Sequence, residues 1–191
     1  MVRRMRIISG SAGRMAIKVP ASVTRPTTDF VRQAAFSILG ESIGGARVLD
    51  LFAGSGALGL EALSRGAATC VFVERQRAAS KVIADNLGKT RLGGGRVVNA
   101  TVDSFLKRDA AAYDVVFADP PYWRNPGDPD DLKMLLGSDL LASRVVDGGW
   151  LVAEASSHYQ PPASAHFTLH DRRAYGSSAL LFFKKPAAND G

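Results

Sequence analysis

The chain has 191 residues, of which 46% are hydrophobic and 22% charged, a balance that excludes intrinsic disorder, a collagen-like repeat and a coiled coil. A chain of this length suits one domain with a single core. Twenty-four Lys and Arg residues against 18 Asp and Glu residues give a formal net charge of +6, which favours an anionic partner such as nucleic acid.

The single cysteine excludes an internal disulfide and a thiolate metal cluster, and the three histidines lack the spacing of metal ligands, so we expect no metal. No apolar run is long enough to cross a bilayer. The basic start is interrupted by Ser9, Gly10, Ser11 and Gly13, where a signal peptide needs apolar residues. We therefore expect a cytoplasmic monomer that does not contact a membrane.

The first 26 residues are the most basic part of the chain, and no acidic residue occurs before Asp29. Their pattern predicts two short strands, 6–9 and 16–19, joined by a glycine-containing turn. We interpret this segment as a basic hairpin that holds an RNA or DNA backbone; the alternative is a solvated, mobile terminus. The candidate RNA-binding side chains here are Arg3, Arg4, Arg6, Arg14, Lys18 and Arg25.

The remainder predicts one α/β domain over 27–185 and a disordered tail over 186–191. Residues 27–29 supply N-cap chemistry for an amphipathic helix that ends at Gly40. Apolar strands separated by helices then predict a parallel sheet covered on both sides, and two final strands predict an antiparallel hairpin. The strands are expected at 48–51, 71–73, 96–99, 115–118, 150–154, 166–173 and 179–183, with helices at 57–65 and 76–87.

A Gly-x-Gly-x-x-Gly motif occupies 54–59, directly after a predicted strand and at the start of a predicted helix. Backbone amides at such a turn point towards a bound ligand. Glu74, at the end of the next strand, is spaced to accept hydrogen bonds from ribose hydroxyls. Together they predict a nucleoside-containing cofactor, either a nicotinamide dinucleotide or S-adenosylmethionine. The alternative is a glycine turn with an unrelated surface glutamate.

Asp50 lies inside the apolar strand ahead of the glycine loop. A buried carboxylate is costly unless it is hydrogen-bonded or meets a cation. Asp50 would repel a pyrophosphate and attract the methionyl ammonium of S-adenosylmethionine, which favours the second cofactor. The alternative is that Asp50 only fastens the amides of the loop.

The segment Asp119-Pro120-Pro121-Tyr122 follows a predicted strand, at the edge of a parallel sheet where ligands bind. The Asp119 side chain and the Pro120 carbonyl can both accept from one exocyclic amine, and Tyr122 offers a stacking face to its ring. An aromatic amine is a poor nucleophile, so holding its lone pair towards a methyl sulfonium would supply much of the catalysis. The alternative is a structural turn.

With these residues in this order, the chain resembles a class I S-adenosylmethionine-dependent methyltransferase of the amino-methylating branch. More closely, it resembles the bacterial RsmD family of 16S ribosomal RNA (guanine-N2)-methyltransferases. The resemblance extends over nearly the whole chain. It is most specific at Arg25-Pro26-Thr27-Thr28-Asp29 followed by Val31-Arg32, and in the loop segment 51–59.

The resemblance implies a Rossmann-like fold: a seven-stranded, mostly parallel sheet with an antiparallel last strand, preceded by a small N-terminal β-hairpin. It also implies methylation of the exocyclic N2 amine of a guanine in 16S ribosomal RNA of the small subunit. Asp103, with Val102 and Ser104 beside it, matches the position that holds the adenine of the cofactor. The implied cofactor-binding set is Asp50, Phe52, Ala53, Gly54, Ser55, Gly56, Glu74, Val102, Asp103 and Ser104.

Two segments depart from the family pattern. Gln33 stands where relatives often carry Glu, and the loop 123–131 is polar and rich in proline. In this loop, Trp123 and Arg124 are candidates for RNA contact or for covering the site. A DNA methyltransferase acting on adenine N6 or cytosine N4 would use the same Asp119 segment, but the chain leaves little room for a separate DNA-reading domain. A non-catalytic dinucleotide-binding module would need neither Asp50 nor Asp119.

Overall fold

The computed structural model describes residues 4–20, 28–120 and 130–187. A small antiparallel sheet of β1 (Arg4–Arg6) and β2 (Ala16–Lys18) precedes a seven-stranded sheet. The larger sheet contains β3 (Arg47–Leu51), β4 (Thr69–Glu74), β5 (Gly95–Asn99), β6 (Tyr113–Ala118), β7 (Val145–Ser156), β8 (Thr168–Tyr175) and β9 (Ser178–Lys184). The helices are α1 (Asp29–Leu39), α2 (Ala57–Ser64), α3 (Arg77–Thr90), α4 (Val102–Leu106), α5 (Asp131–Leu136) and α6 (Asp139–Arg144).

The large sheet has the strand order β5-β4-β3-β6-β7-β9-β8. Strands β3 to β7 pair with one another in parallel, whereas β9 lies antiparallel between β7 and β8. The predicted Rossmann-like sheet with an antiparallel last strand is therefore confirmed. The chain moves outward from β3 first towards β5 and then, through β6, towards the other edge. This reversal creates a crevice at the carboxyl ends of β3 and β6, where open α/β sheets bind ligands.

Both faces of the sheet are covered, which explains why its strands are apolar on both sides. Val48 and Phe117 pack with α1, α2, part of α3 and the N-terminal hairpin. Their neighbours in sequence, Leu49 and Val116, point to the other face, which carries α4, α5 and α6. Within the described ranges, no helix combines the length and apolar character that crossing a membrane requires.

Local signals place the first helix as predicted. The Thr28 side-chain oxygen accepts from the amide of Val31 at 3.3 Å, and α1 ends at Gly40, whose φ is +48°. Other boundaries shift: β7 begins five residues before the predicted strand, and α3 continues to Thr90. The short helices α4, α5 and α6 were not predicted, although Thr101, Asp130 and Ser138 cap them.

The turn after β1 is fastened to α2 by a fully buried glutamate. Glu61 accepts from the amides of Ile8 at 2.7 Å and Ser9 at 3.1 Å, and from Nε of Arg65 at 2.7 Å. Gly10 has φ +83°, and a Cβ there would lie 1.8 Å from the carbonyl oxygen of Ser64. This close approach requires glycine. The described part of the N-terminal segment is therefore packed against the domain, unlike a solvated, mobile terminus.

Replacing Glu61 tests this attachment. We expect Glu61→Ala to lower the free energy of unfolding by about 1–3 kcal/mol, because the partly buried amides of Ile8 and Ser9 lose a charged acceptor. Glu41 is an exposed glutamate in the turn after α1, so Glu41→Ala should change stability by less than about 0.5 kcal/mol. The measurement is denaturant unfolding of both variants. Equal stability of the two would contradict a structural role for Glu61.

Candidate active site

The predicted cofactor and catalytic residues follow neighbouring strands at one edge of the sheet. Leu51, the last residue of β3, pairs with Val73 of β4 on one side and Ala118 of β6 on the other. The glycine loop after β3 therefore lies between Glu74 and Asp119, which follow those partners directly. This register brings together residues that are far apart in the sequence.

The glycine loop is tightly folded. Phe52, Gly54 and Gly56 all have positive φ, at +57°, +55° and +76°, and the amide of Gly56 donates to the carbonyl of Ala53 at 2.6 Å. A Cβ on Gly59 would lie 2.3 Å from Cε1 of Phe72, so the third glycine allows α2 to pack closely on β4. The glycine motif therefore lies where it was predicted, in a tight turn between a strand and the start of a helix.

Asp50 is 2% exposed, and its Oδ2 accepts from the amide of Gly59 at 3.0 Å. Gly56, the N-cap of α2, has no side chain to accept from the first helical amides, so Asp50 supplies that acceptor from the neighbouring strand. The fastening role stated above as the alternative for Asp50 is therefore present. Contact with a methionyl ammonium stays a prediction.

The electrostatic setting of Asp50 is unusual. Burial raises the pKa of its carboxyl well above the usual range; the Gly59 amide opposes this shift, and the charges of Asp119 and Glu74 add to it. Three carboxyl groups therefore share one confined region. Such a region disfavours a pyrophosphate and favours a ligand that carries positive charge. These three carboxyl groups consequently fit the positively charged ammonium and sulfonium groups of S-adenosylmethionine better than the pyrophosphate of a dinucleotide.

Glu74 already holds the loop. Its Oε2 accepts from the amide of Gly54 at 2.9 Å, and its Oε1 accepts from the amide of Gln76 at 2.7 Å. These bonds explain why a glutamate stands here independently of any ligand. A carboxylate has about four acceptor positions, so about two remain for ribose hydroxyls. The ribose role of Glu74 stays a prediction.

Two further groups of predicted residues lie at the same edge. Thr101 caps α4, which carries Val102, Asp103 and Ser104 just after β5. The Asp103 side chain is 70% exposed and forms an ion pair with Lys107 at 2.8 Å. Asp119 is half-buried and Pro120 is buried at the end of β6. Pro121, Tyr122, Trp123 and Arg124 lie outside the described residues.

The described basic candidates are exposed on the hairpin. Arg6, Arg14 and Lys18 all have exposed side chains. Nε of Arg6 lies 3.1 Å from Oδ2 of Asp29, and Nζ of Lys18 lies 3.8 Å from Oδ2 of Asp85. Such exposed pairs are weak and exchange readily with phosphate partners. Arg3 and Arg25, and the side chain of Arg4, lie outside the description.

Asn86 is a site-supporting residue that was not predicted. It is fully buried on α3, and its Nδ2 donates to the carbonyl oxygens of Ser55 at 3.1 Å and Lys18 at 2.9 Å. Its Oδ1 accepts from the amide of Lys18 at 2.8 Å. Asn86 thereby ties the glycine loop to β2. A polar residue in register with Ala79 and Ile83 on the buried stripe of α3 was the available signal.

Metal chemistry has no visible ligand set here. In the ranges 4–20, 28–120 and 130–187, no three His, Cys, Asp or Glu side chains are grouped so that they could hold a metal ion. The carboxyl groups of Asp50, Glu74 and Asp119 are instead distributed around the glycine loop.

Known proteins are similar to this chain over most of its length. The chain is 36% identical over 195 residues to "Ribosomal RNA small subunit methyltransferase D" of Escherichia coli K12, covering 98% of this chain and 93% of the relative. A solved structure of a hypothetical protein from Thermus thermophilus has a TM-score of 0.79 and 38% identity, over 93% of this chain and 98% of the other.

A more distant structure shares the fold. The 16S rRNA N2 G1207 methyltransferase of Thermus thermophilus, solved with AdoMet and guanosine, has a TM-score of 0.74 at 21% identity, over 97% of this chain and 50% of the other. Residues 5–184 match the family described as "Conserved hypothetical protein 95". The match spans nearly the whole chain and confirms the resemblance predicted from the sequence. The chain therefore belongs to this family, which is that of ribosomal RNA small subunit methyltransferase D.

Proposed function

We propose that this protein transfers the methyl group of S-adenosylmethionine to the exocyclic N2 amine of a guanine in the 16S ribosomal RNA of the small subunit. The relative from Escherichia coli is named as a small-subunit ribosomal RNA methyltransferase, which supports the RNA substrate. The net charge of +6 suits a phosphate-rich partner.

One observation carries the proposal: the acceptor for the amine and the loop for the cofactor meet at a single edge. The register of β3 with β6 pairs Leu51 with Ala118, so the residues that follow them, the glycine loop and Asp119, are neighbours. The charge of Asp119 also acts on Asp50 across the same gap. Groups so placed can hold two reactants next to each other, which is the main requirement of methyl transfer to a weak nucleophile.

The cofactor, when bound, supplies an electrophilic methyl group on a positively charged sulfonium. Asp50 would attract the methionyl ammonium, the loop amides would face the cofactor, and Glu74 would accept from the ribose with its remaining acceptor positions. Asp103 lies at the next strand end, where it would accept from the adenine amine. These residues bind and orient, and their negative charge complements the ligand.

Asp119 and Pro120 would act on the nucleophile. The Asp119 carboxylate and the Pro120 carbonyl accept the two amine hydrogens and draw the nitrogen lone pair out of conjugation with the ring. As the nitrogen–carbon bond forms, Asp119 balances the positive charge that develops on nitrogen and is positioned to take the released proton. The interaction is therefore stronger in the transition state than in the bound substrate.

The defining experiment supplies S-adenosylmethionine with a labelled methyl group to small-subunit particles from cells that lack this protein. Mass spectrometry of the nucleosides should find N2-methylguanosine at one position of the 16S RNA. Label in adenine N6 or cytosine N4 would overturn the proposal. A protein that is stabilised by a nicotinamide dinucleotide and transfers no methyl group would overturn it as well.

Glu74→Ala should weaken S-adenosylmethionine binding by about 10- to 150-fold, because it removes a charge-assisted bond of about 1.5–3 kcal/mol to the ribose and releases the Gly54 amide. RNA affinity should change little. Titration calorimetry measures the cofactor, and Glu41→Ala on the exposed turn serves as the matched control. Unchanged cofactor affinity in Glu74→Ala would remove Glu74 from the site.

Asp119→Ala should leave cofactor binding and most RNA affinity intact while suppressing methyl transfer. The reason is that the carboxylate acts most strongly as the amine leaves the ring plane. Asp119→Asn should be milder because an amide oxygen still accepts, although it cannot balance the developing charge. Single-turnover transfer to small-subunit particles measures the step. Wild-type rates in Asp119→Ala would leave the segment as a structural turn.

Replacing Arg6, Arg14 and Lys18 with alanine should lower RNA affinity and flatten its dependence on salt. Each lost phosphate contact should reduce the log–log slope by about 0.7 to 0.9. Lys133→Ala with Arg96→Ala is the control, since both residues are exposed and Lys133 lies on α5, which packs on the face of the sheet opposite the hairpin. An equal change of slope per removed charge in both variants would assign the effect to net charge and not to the hairpin.

A further inference from the structure

An exposed aromatic ring lies in the first turn of α1. Phe30 is 69% exposed, and its ring meets that of Tyr175 edge to face, with the ring centroids 5.4 Å apart and the planes at 85°. Tyr175, the last residue of β8, is half-buried and packs against the core on the face of the sheet that carries α1. Tyr175 therefore supports Phe30 while most of the Phe30 surface stays open to solvent.

The strand register brings Tyr175 to the end of the sheet where Asp119 lies. Tyr175 pairs with Ser178 at the start of β9, and Ser178 pairs in turn with Ser156 at the carboxyl end of β7. Because β6 and β7 are parallel, the carboxyl end of β7 lies on the same side as that of β6, which Asp119 follows. The aromatic pair is therefore at the edge that is proposed for catalysis.

The first turn of α1 approaches the same edge. Val31, which follows Phe30, lines a narrow gap together with Ala118 of β6 and Leu180 of β9. Strands β6 and β8 are separated by β7 and β9, which makes three strand spacings of about 4.8 Å each. The aromatic pair thus lies about 14 Å from the end of β6 across the sheet, about the rise of four stacked nucleotides.

Arginines lie next to both members of the aromatic pair. Arg173 is on the same face of β8 as Tyr175, because it stands two residues earlier, and its Nε lies 2.8 Å from a carboxylate oxygen of that strand. Nε of Arg6 lies 3.1 Å from Oδ2 of Asp29, the residue before Phe30. Both ion pairs are exposed and therefore weak, so a phosphate can replace the aspartate in either of them.

The surroundings of Phe30 favour RNA over a protein as the occupant. A core of a protein–protein interface is a contiguous apolar patch from which charged residues are depleted. In the described ranges the other large apolar residues with exposed surface are Met134, Leu140 and Leu169, none of them on α1. Phe30 is instead accompanied by the arginines of β1 and β8. An isolated ring between cations suits a base that is flanked by phosphates.

We propose that Phe30, supported by Tyr175, is a stacking platform for an unpaired RNA base close to the target guanine, an inference that rests on the proposed function. Proteins that recognise single-stranded RNA stack splayed bases on aromatic side chains. Every base offers a face to such a ring, so the contact does not depend on base identity. Arg6 and Arg173 hold the phosphates that adjoin the stacked base.

The platform has a use in the reaction. A target base must leave its stack before its amine can reach the cofactor, and the neighbouring base then loses a stacking partner. The Phe30 ring replaces that partner, which lowers the cost of extruding the target. Phe30 is consequently a positioning residue for the substrate, and its removal should affect RNA affinity without affecting cofactor affinity.

The test measures binding of Phe30 variants to small-subunit particles from cells that lack this protein, at several salt concentrations. Phe30→Ala should weaken binding by about 5- to 150-fold. Its dependence on salt should equal that of the wild type, because no phosphate contact is lost. Phe30→Trp should bind at least as well as the wild type, whereas Phe30→Leu, which is apolar but has no flat ring, should lose most of the affinity.

Two control variants separate stacking from exposure and from charge. Met134 is 64% exposed and lies on α5, on the opposite face of the sheet, so Met134→Ala should bind as the wild type does. Arg173→Ala should lower affinity and also reduce the log–log salt slope by about 0.7 to 0.9. Cofactor affinity and the unfolding midpoint are measured for every variant and should not change.

A photoreactive ring identifies the occupant directly. With p-azidophenylalanine at position 30, irradiation of the protein bound to the particle should cross-link it to an RNA nucleotide within about four positions of the methylated guanine. A cross-link to the methylated guanine itself, to a distant part of the RNA or to a ribosomal protein would overturn the inference.

The outcomes distinguish this inference from the proposed function. A wild-type protein that methylates no guanine would overturn the proposed function and the inference that rests on it. Guanine methylation with wild-type particle affinity in Phe30→Ala would overturn this inference alone. A loss of affinity that Met134→Ala shares, or that follows a lowered unfolding midpoint, would assign Phe30 no specific contact and would overturn the inference as well.

Discussion

Negative charge confined at one edge of the sheet is the constraint on which the rest of the site depends. Asp50 is 2% exposed, and the charges of Asp119 and Glu74 act on it in addition to burial. Acidic groups held together out of water are stable only when amides or cations compensate them. Here the loop amides of Gly54, Gln76 and Gly59 supply part of that compensation. The site is thus organised before a ligand arrives, and it favours a cationic one.

Compensation by amides also links catalysis to folding. The carboxylates of Asp50 and Glu74 hold the glycine loop and the start of α2, so the groups expected to bind the cofactor are the same groups that shape its loop. Removing one of them changes both the ligand contacts and the backbone that presents the amides. This is why a change in cofactor affinity has to be compared with the effect on RNA affinity and on stability before it is assigned to a direct contact.

The N-terminal hairpin is part of the same construction. Glu61 holds the turn after β1 to α2, and Asn86 joins β2 to the carbonyl of Ser55 in the glycine loop. The basic side chains of Arg6, Arg14 and Lys18 are therefore presented on a surface whose backbone is connected to the cofactor loop. An RNA held by these residues would have a defined position relative to the catalytic edge, which a flexible tail could not provide.

The fold and the strand-end residues could be predicted because their signals are local. Apolar strands, the glycine motif at 54–59 and the Thr28 cap lie within a few residues of the structure they produce. The order of the strands brought Glu74 and Asp119 to one edge, as expected for a parallel sheet.

The loop contacts of Glu74 were missed because a carboxylate at a strand end suits both a ribose and the amides of its own loop. Other features of the site depend on contacts between distant parts of the chain. Glu61 accepts hydrogen bonds from residues more than 50 positions away, and local sequence patterns cannot reveal such pairs.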